Sequence, residues 1–149
     1  MFDTVIGLPV HALVVHGVVV LLPLMCLATV AVAFLPRLRP LAWWVVVANA
    51  GVAAMTLVAR QSGEALFARL QQPSVAINHV SLGRNLIWFA LGLFVASVLV
   101  AVARRGTRRT PAAVLSLAAA ALALYWAIRT GHTGSQAVWA QVVKNTKAP

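Results

Sequence analysis

The sequence predicts an all-α membrane protein: four transmembrane helices in an up-down bundle, with two tandem hairpins as a further reading of the same pattern. Three observations predict it. Of 149 residues, 62% are hydrophobic and 9% charged, and the mean hydropathy is +0.91. A soluble domain is about 45–50% apolar and about 25% charged. Apolar runs near the roughly 20 residues that a spanning helix needs recur four times. The basic residues that give a formal charge of +10 fall between and beside those runs. A charge of that size in a soluble chain would suggest nucleic acid. Placed here it reads as a topology signal and headgroup contact, with the lipid bilayer as partner and no nucleic acid.

The opening, "MFDTVIGLPVH", lacks a positive segment, and Asp3 has the wrong sign for one, so the first apolar run is expected to stay in the mature protein. That run covers about 10–35, with Pro23 expected to kink it and "PRLRP" to end it. The second covers about 41–60, with Trp43 and Trp44 where an interfacial belt would place them. The third covers about 76–103. Its apolar core starts at Leu86, and Pro73-Ser74 reads as a start signal for the helix. The fourth covers about 111–131: Thr110-Pro111 reads as an N-cap followed by an N1 proline, and Gly131 and Gly134 as terminators. Two further segments, about 62–72 with Leu66, Phe67 and Leu70 on one side, and about 135–144 with Val138, Trp139, Val142 and Val143 on one side, read as interfacial helices. All of this makes one membrane domain, 1–149.

An even number of spans leaves both termini on one side. The short loops opposite hold Arg37, Arg39, Arg104, Arg105, Arg108 and Arg109 with no acid. The terminal side holds Arg60, Arg69, Arg84, Arg129, Lys144 and Lys147 over longer segments, together with Asp3 and Glu64. Short loops weigh most in the positive-inside rule, so both termini are expected outside. Each hairpin also starts with histidine, bends at an arginine loop and leaves by Arg and Gly, "ARQSG" and "IRTG", a hint of internal duplication.

The alternation of spans gathers His11, His16, His79 and His132 at the terminal end. At about 1.5 Å per residue, His11 and His79 each lie 24 steps, roughly 36 Å, from the opposite helix ends Leu35 and Ala103. His16 lies 19 steps from Leu35 and His132 20 steps from Ala112, roughly 28 and 30 Å, a deeper level. His11 and His16 differ by about 140° around a helix and cannot face one partner together. Ionisable residues inside a membrane tend to be functional, although a histidine at the interface also serves as a polar anchor.

Imidazole suits haem iron, copper and zinc. Two histidines on different helices could clasp a haem from both faces, which favours electron transfer over oxygen activation. His16 and His132 are the first pair of ligands on this reading, His11 and His79 the second, with Trp88, Phe89 and Trp126 as walls for a porphyrin. A bare copper or zinc ion needs three or four converging donors, and no CxxC, HExxH or methionine ladder offers a dedicated site. Asn49, Thr56 and Ser97 read as polar glue between helices. Glu64 reads as an ion-pair partner of Arg60 or Arg69, or as a carboxylate supporting a histidine. Cys26 reads as a small packing residue. Nothing supports hydrolase or kinase chemistry.

Three readings stay open. One is a b-type haem protein that passes electrons near the outer face to a redox partner. Another is a non-catalytic accessory subunit without cofactor, bound to other membrane proteins. The third is a copper or zinc binder. In the first two the chain is an electron-transfer or accessory protein rather than an enzyme.

The stretch "GLPVHALVVHGVVVLLPL", the "SGEAL" turn, His79 and the closing "TGHTGSQAVW" together resemble bacterial four-helix membrane proteins grouped as a domain of unknown function, whose opening is similar to Leu-His-Pro-x-x-Val-His-Phe-Pro. The resemblance covers most of the chain. It puts His11 and His16 on the two opening histidines of that family, His79 on its third-helix histidine and His132 at the Gly-rich end of the fourth. This sequence departs from it at Ala12, where proline is usual, at Gly17-Val18 after the second histidine, and at Trp139, where a Val-Tyr segment is common. The resemblance implies four helices and a bacterial inner membrane, and no activity.

Overall fold

A chain in lipid must satisfy its backbone N–H and C=O groups internally, and the α-helix does so within each segment. The computed structural model describes residues 4, 5, 7–71, 74–103 and 109–146. Four helices dominate it: α1 (Val10–Phe34), α2 (Ala42–Arg69), α3 (Ile77–Val102) and α4 (Arg109–Asn145). All four are long and apolar enough to cross a membrane. They form a ring in chain order, each packed on its sequence neighbours, with α4 closing on α1 and the α1–α3 diagonal also in contact. A two-residue antiparallel pair, β1 (Thr4–Val5) with β2 (Leu8–Pro9), precedes α1.

Small and branched residues build the core. Leu22 of α1 and Leu93 of α3 are fully buried beside Val52 and Ala53 of α2, Ala90 of α3, and Ala120 and Ala123 of α4. Alanine at such positions lets helix backbones approach closely, which is how helices associate where lipid removes the hydrophobic drive. The outward faces carry Leu27, Trp44, Trp88, Leu122 and Ile128, each more than half exposed, as lipid-facing positions should be.

The helices differ from the sequence reading in four places. The 62–72 segment is not a separate interfacial helix: α2 runs unbroken to Arg69, with Leu70 as its cap and Gln71 at a positive φ of 58°. Likewise α4 runs through Gly131 and Gly134 and takes in the 135–144 segment, reaching 37 residues, or roughly 55 Å. Glycine costs a helix only about 1 kcal/mol relative to alanine, so packing decides whether it terminates one. The described part of α4 already includes Arg109 and Thr110 ahead of Pro111, so Thr110 is a helical residue rather than the N-cap. "PRLRP" does end α1, as part of a 3-10 helix, Pro36–Leu41, that leads into α2. A second short 3-10 helix, Ser74–Ala76, leads into α3. Pro23 lies within a continuous α1. Asp3, Gln72, Pro73, Arg104, Arg105, Arg108 and Lys147 lie outside the described residues.

The polar core residues divide by reach. Asn49 does join helices: its Nδ2 donates to the Thr29 hydroxyl at 3.0 Å and to Val45 O at 3.0 Å. Thr56 and Ser97, expected to do the same, instead donate to carbonyls of their own helices, Val52 O at 2.8 Å and Phe94 O at 2.6 Å. A short hydroxyl side chain finds a carbonyl one turn back before it finds another helix. Cys26 is buried and unpaired, as a packing residue should be.

Candidate functional site

His11 sits in the first turn of α1 and reaches across to α2. Its Nδ1 donates to Ala59 O at 2.9 Å. The reach depends on Gly63, one turn further along α2: a Cβ there would meet His11 Cε1 at 2.8 Å and Nδ1 at 2.9 Å. The second hairpin repeats the arrangement. His79, in the first turn of α3, donates from Nδ1 to Thr130 O of α4 at 3.0 Å, and a Cβ on Gly134 would meet His79 Cε1 at 3.0 Å. Each accepting carbonyl takes a second bond from a hydroxyl three residues on. Ser62 donates to Ala59 O at 3.2 Å and Thr133 to Thr130 O at 3.0 Å.

The two hairpins therefore share one local arrangement, in a different frame from the one the sequence suggested. "ARQSG" corresponds to "TGHTG", not to "IRTG". Histidine meets carbonyl, hydroxyl and glycine in the same order in both halves.

The two clasps meet. The ring centres of His11 and His79 are 6.1 Å apart, with their planes 70° to one another. A carbonyl oxygen only accepts, so each ring carries its proton on Nδ1, and Nε2 of the neutral ring holds the lone pair. Both histidines line a largely apolar cavity of about 280 Å³ to which all four helices contribute. Leu66 and Phe67 of α2 and its cap Leu70 form part of its wall, so the residues read as a membrane-surface stripe lie over the cavity instead.

Arg60, Glu64 and Arg84 stand along the same cavity. Glu64 Oε1 accepts from Arg60 Nε at 3.4 Å and from Arg84 Nε at 3.0 Å. The sequence singled out Arg60 and Arg69 as partners. Arg84, on another helix, was missed, and no local spacing could have found it. Two arginines on one carboxylate leave a net positive charge here. The second hairpin does not copy it: Gly131 and Ser135 stand where Arg60 and Glu64 stand in the first.

The family described as "Predicted membrane protein (DUF2231)" matches residues 7–147, a stretch that includes both clasps and all four helices. The chain belongs to the DUF2231 family. No curated protein and no solved structure matches it. The DUF2231 match includes all four histidines, and the resemblance of the opening stretch to a four-helix family of unknown function is a resemblance to DUF2231.

Within this DUF2231 chain the other expected site residues lie elsewhere. His16 is exposed, bonds Ala12 O of its own helix through Nδ1, and is not part of the cavity wall; His132 is exposed too and equally absent from that wall. Phe89 and Trp126 stack on one another at 4.5 Å, and Trp126 Nε1 donates to Leu82 O at 2.9 Å, while Trp88 points outward, 65% exposed. No three of the described His, Cys, Asp and Glu residues gather into a group that could hold a metal ion.

Proposed function

We propose that this DUF2231 protein is a b-type haem-binding electron-transfer protein of the bacterial inner membrane, with His11 and His79 as the residues that would hold the haem iron. The observation that carries the reading is the paired clasp. Two imidazoles opposed on one metal ion, each bonded at about 2.0 Å, have ring centres about 6 Å apart, whereas a tetrahedral pair comes closer together. The observed 6.1 Å is of that size, and it is also the spacing of an edge-to-face ring contact. Donation of Nδ1–H to a backbone carbonyl is the support that metal-ligating histidines usually have, because it fixes the tautomer and aims Nε2. Two donors are what a haem iron takes from a protein, and they fall short of the three or four that a copper or zinc ion requires.

Haem would supply one-electron redox chemistry, and held by two histidines it would carry electrons rather than activate oxygen. The chain's own residues orient two imidazoles, exclude water with apolar walls, and place Arg60 and Arg84 where carboxylates could be paired. The cavity, at about 280 Å³, lies just under the range of about 300–1,000 Å³ typical of small-molecule sites, so loading a macrocycle requires the two hairpins to part. The histidine end, with both termini, faces outward on the positive-inside reading.

The test is an absorption spectrum of protein purified in mild detergent after expression with ample haem, air-oxidised and then dithionite-reduced, with metal analysis on the same sample. The expected result is a Soret band that shifts on reduction, is lost in His11→Ala and His79→Ala, and persists in His16→Ala and His132→Ala. A flat spectrum without bound metal overturns the proposal and leaves an accessory subunit; stoichiometric copper or zinc without porphyrin replaces it with an ion site.

A further inference from the structure

The end of the bundle opposite the histidines holds a larger cavity, about 610 Å³, between the ends of all four helices. Its walls include Val32 and Ala33 of α1, Arg39, Trp43 of α2, Ala101 of α3 and Ala113 of α4. Arg39 is the charged residue among the described walls, and its Nη2 is buried without a hydrogen-bond partner. A guanidinium carries five N–H donors and no acceptor; Arg39 as a whole is half-buried, and its buried Nη2 lacks the acceptor that a charged donor away from water needs.

The protein cannot supply that acceptor as a carboxylate from its described residues. The whole sequence holds two acids, Asp3 and Glu64. Glu64 is engaged by Arg60 and Arg84 at the histidine end. Asp3 lies outside the described residues, ahead of the 25-residue α1 in the sequence, whereas Arg39 follows that helix. An acceptor from outside the chain would complete Arg39 Nη2. At the level of a bilayer interface, where Trp43 marks the boundary, the abundant anion is the phosphate of a phospholipid headgroup. Arginine reads phosphate with a bidentate fork, and the alanines of the wall leave room for one. We propose that this cavity seats the phosphate headgroup of an anionic phospholipid, with Arg39 as its charged ligand.

Thermal unfolding in a neutral maltoside detergent, with phosphatidylglycerol, phosphatidylcholine or inorganic phosphate added, tests this. Phosphatidylglycerol is expected to raise Tm by several degrees, and phosphatidylcholine and inorganic phosphate much less. Arg39→Gln should lose the shift, and the neighbouring exposed Arg37→Gln should keep it. Ala113→Leu, which retains Arg39 and fills the cavity from α4, should also lose the shift, and it decides the matter if Arg39→Gln fails to fold. An undiminished shift in Arg39→Gln or Ala113→Leu overturns the site. An equal shift with phosphatidylcholine overturns the role of lipid charge, and an equal shift with inorganic phosphate overturns the lipid as its source.

Discussion

Gly63 of α2 lies so close to His11 of α1 that a single added methyl would come within 2.8 Å of the imidazole Cε1. Replacing Gly63 by alanine must therefore move the ring or the helix. Overpacking of this kind typically costs about 1–3 kcal/mol. Gly63→Ala and Gly134→Ala are each expected to lower thermal stability on that scale and, on the proposed haem reading, to weaken the Soret band. A control at Gly51, inside α2, where an added Cβ has nothing within 4 Å, is expected to leave that band unchanged and to raise stability by about 1 kcal/mol at most, the helix-propensity gain of alanine over glycine. Equal behaviour at the three glycines would remove the clasp as the cause.

The Asn49–Thr29 bond joins α1 to α2 in the middle of the bundle, between side chains that are each 1% exposed. Asn49→Ala should cost about 1 kcal/mol, as interhelical polar bonds in membranes do. A double-mutant cycle with Thr29→Val measures the pair directly. A coupling energy near zero would mean that Asn49 contributes only through its own-helix bond to Val45 O.

Glu64 invites the opposite expectation. It touches two arginines, but its side chain is 37% exposed and that of Arg84 56%. Water screens such pairs, so Glu64→Gln should shift stability by less than about 1 kcal/mol. A much larger loss on thermal unfolding would show that the cluster holds the cavity wall together.

Orientation can be read with cysteine chemistry. In a Cys26→Ala background, Lys144→Cys should react with a membrane-impermeant maleimide in intact spheroplasts, and Arg37→Cys only after lysis. The reverse pattern would put both termini in the cytoplasm.

The spans were legible because lipid imposes a simple rule: a helix of sufficient apolar length, repeated four times, leaves few alternatives. The level shared by His11 and His79 follows from the same arithmetic of rise per residue. What the sequence hid was azimuth and approach. His16 and His132 lie at a sensible depth, yet each is exposed. Gly131 and Gly134 read as stops because glycine ends helices, whereas the structure uses Gly134 to admit His79. Arg84 reaches Glu64 from another helix, a pairing that no window along the chain contains.

Each histidine closes onto the partner helix of its own hairpin, His11 on α2 and His79 on α4. Each half is thus fastened internally, and the cavity lies along the seam between two finished pieces. Widening it requires sliding one piece against the other without opening either fastening. The aperture between the histidines and the rigidity of each histidine's seat are for that reason separate mechanical quantities, and substitutions along the seam could tune the first without touching the second.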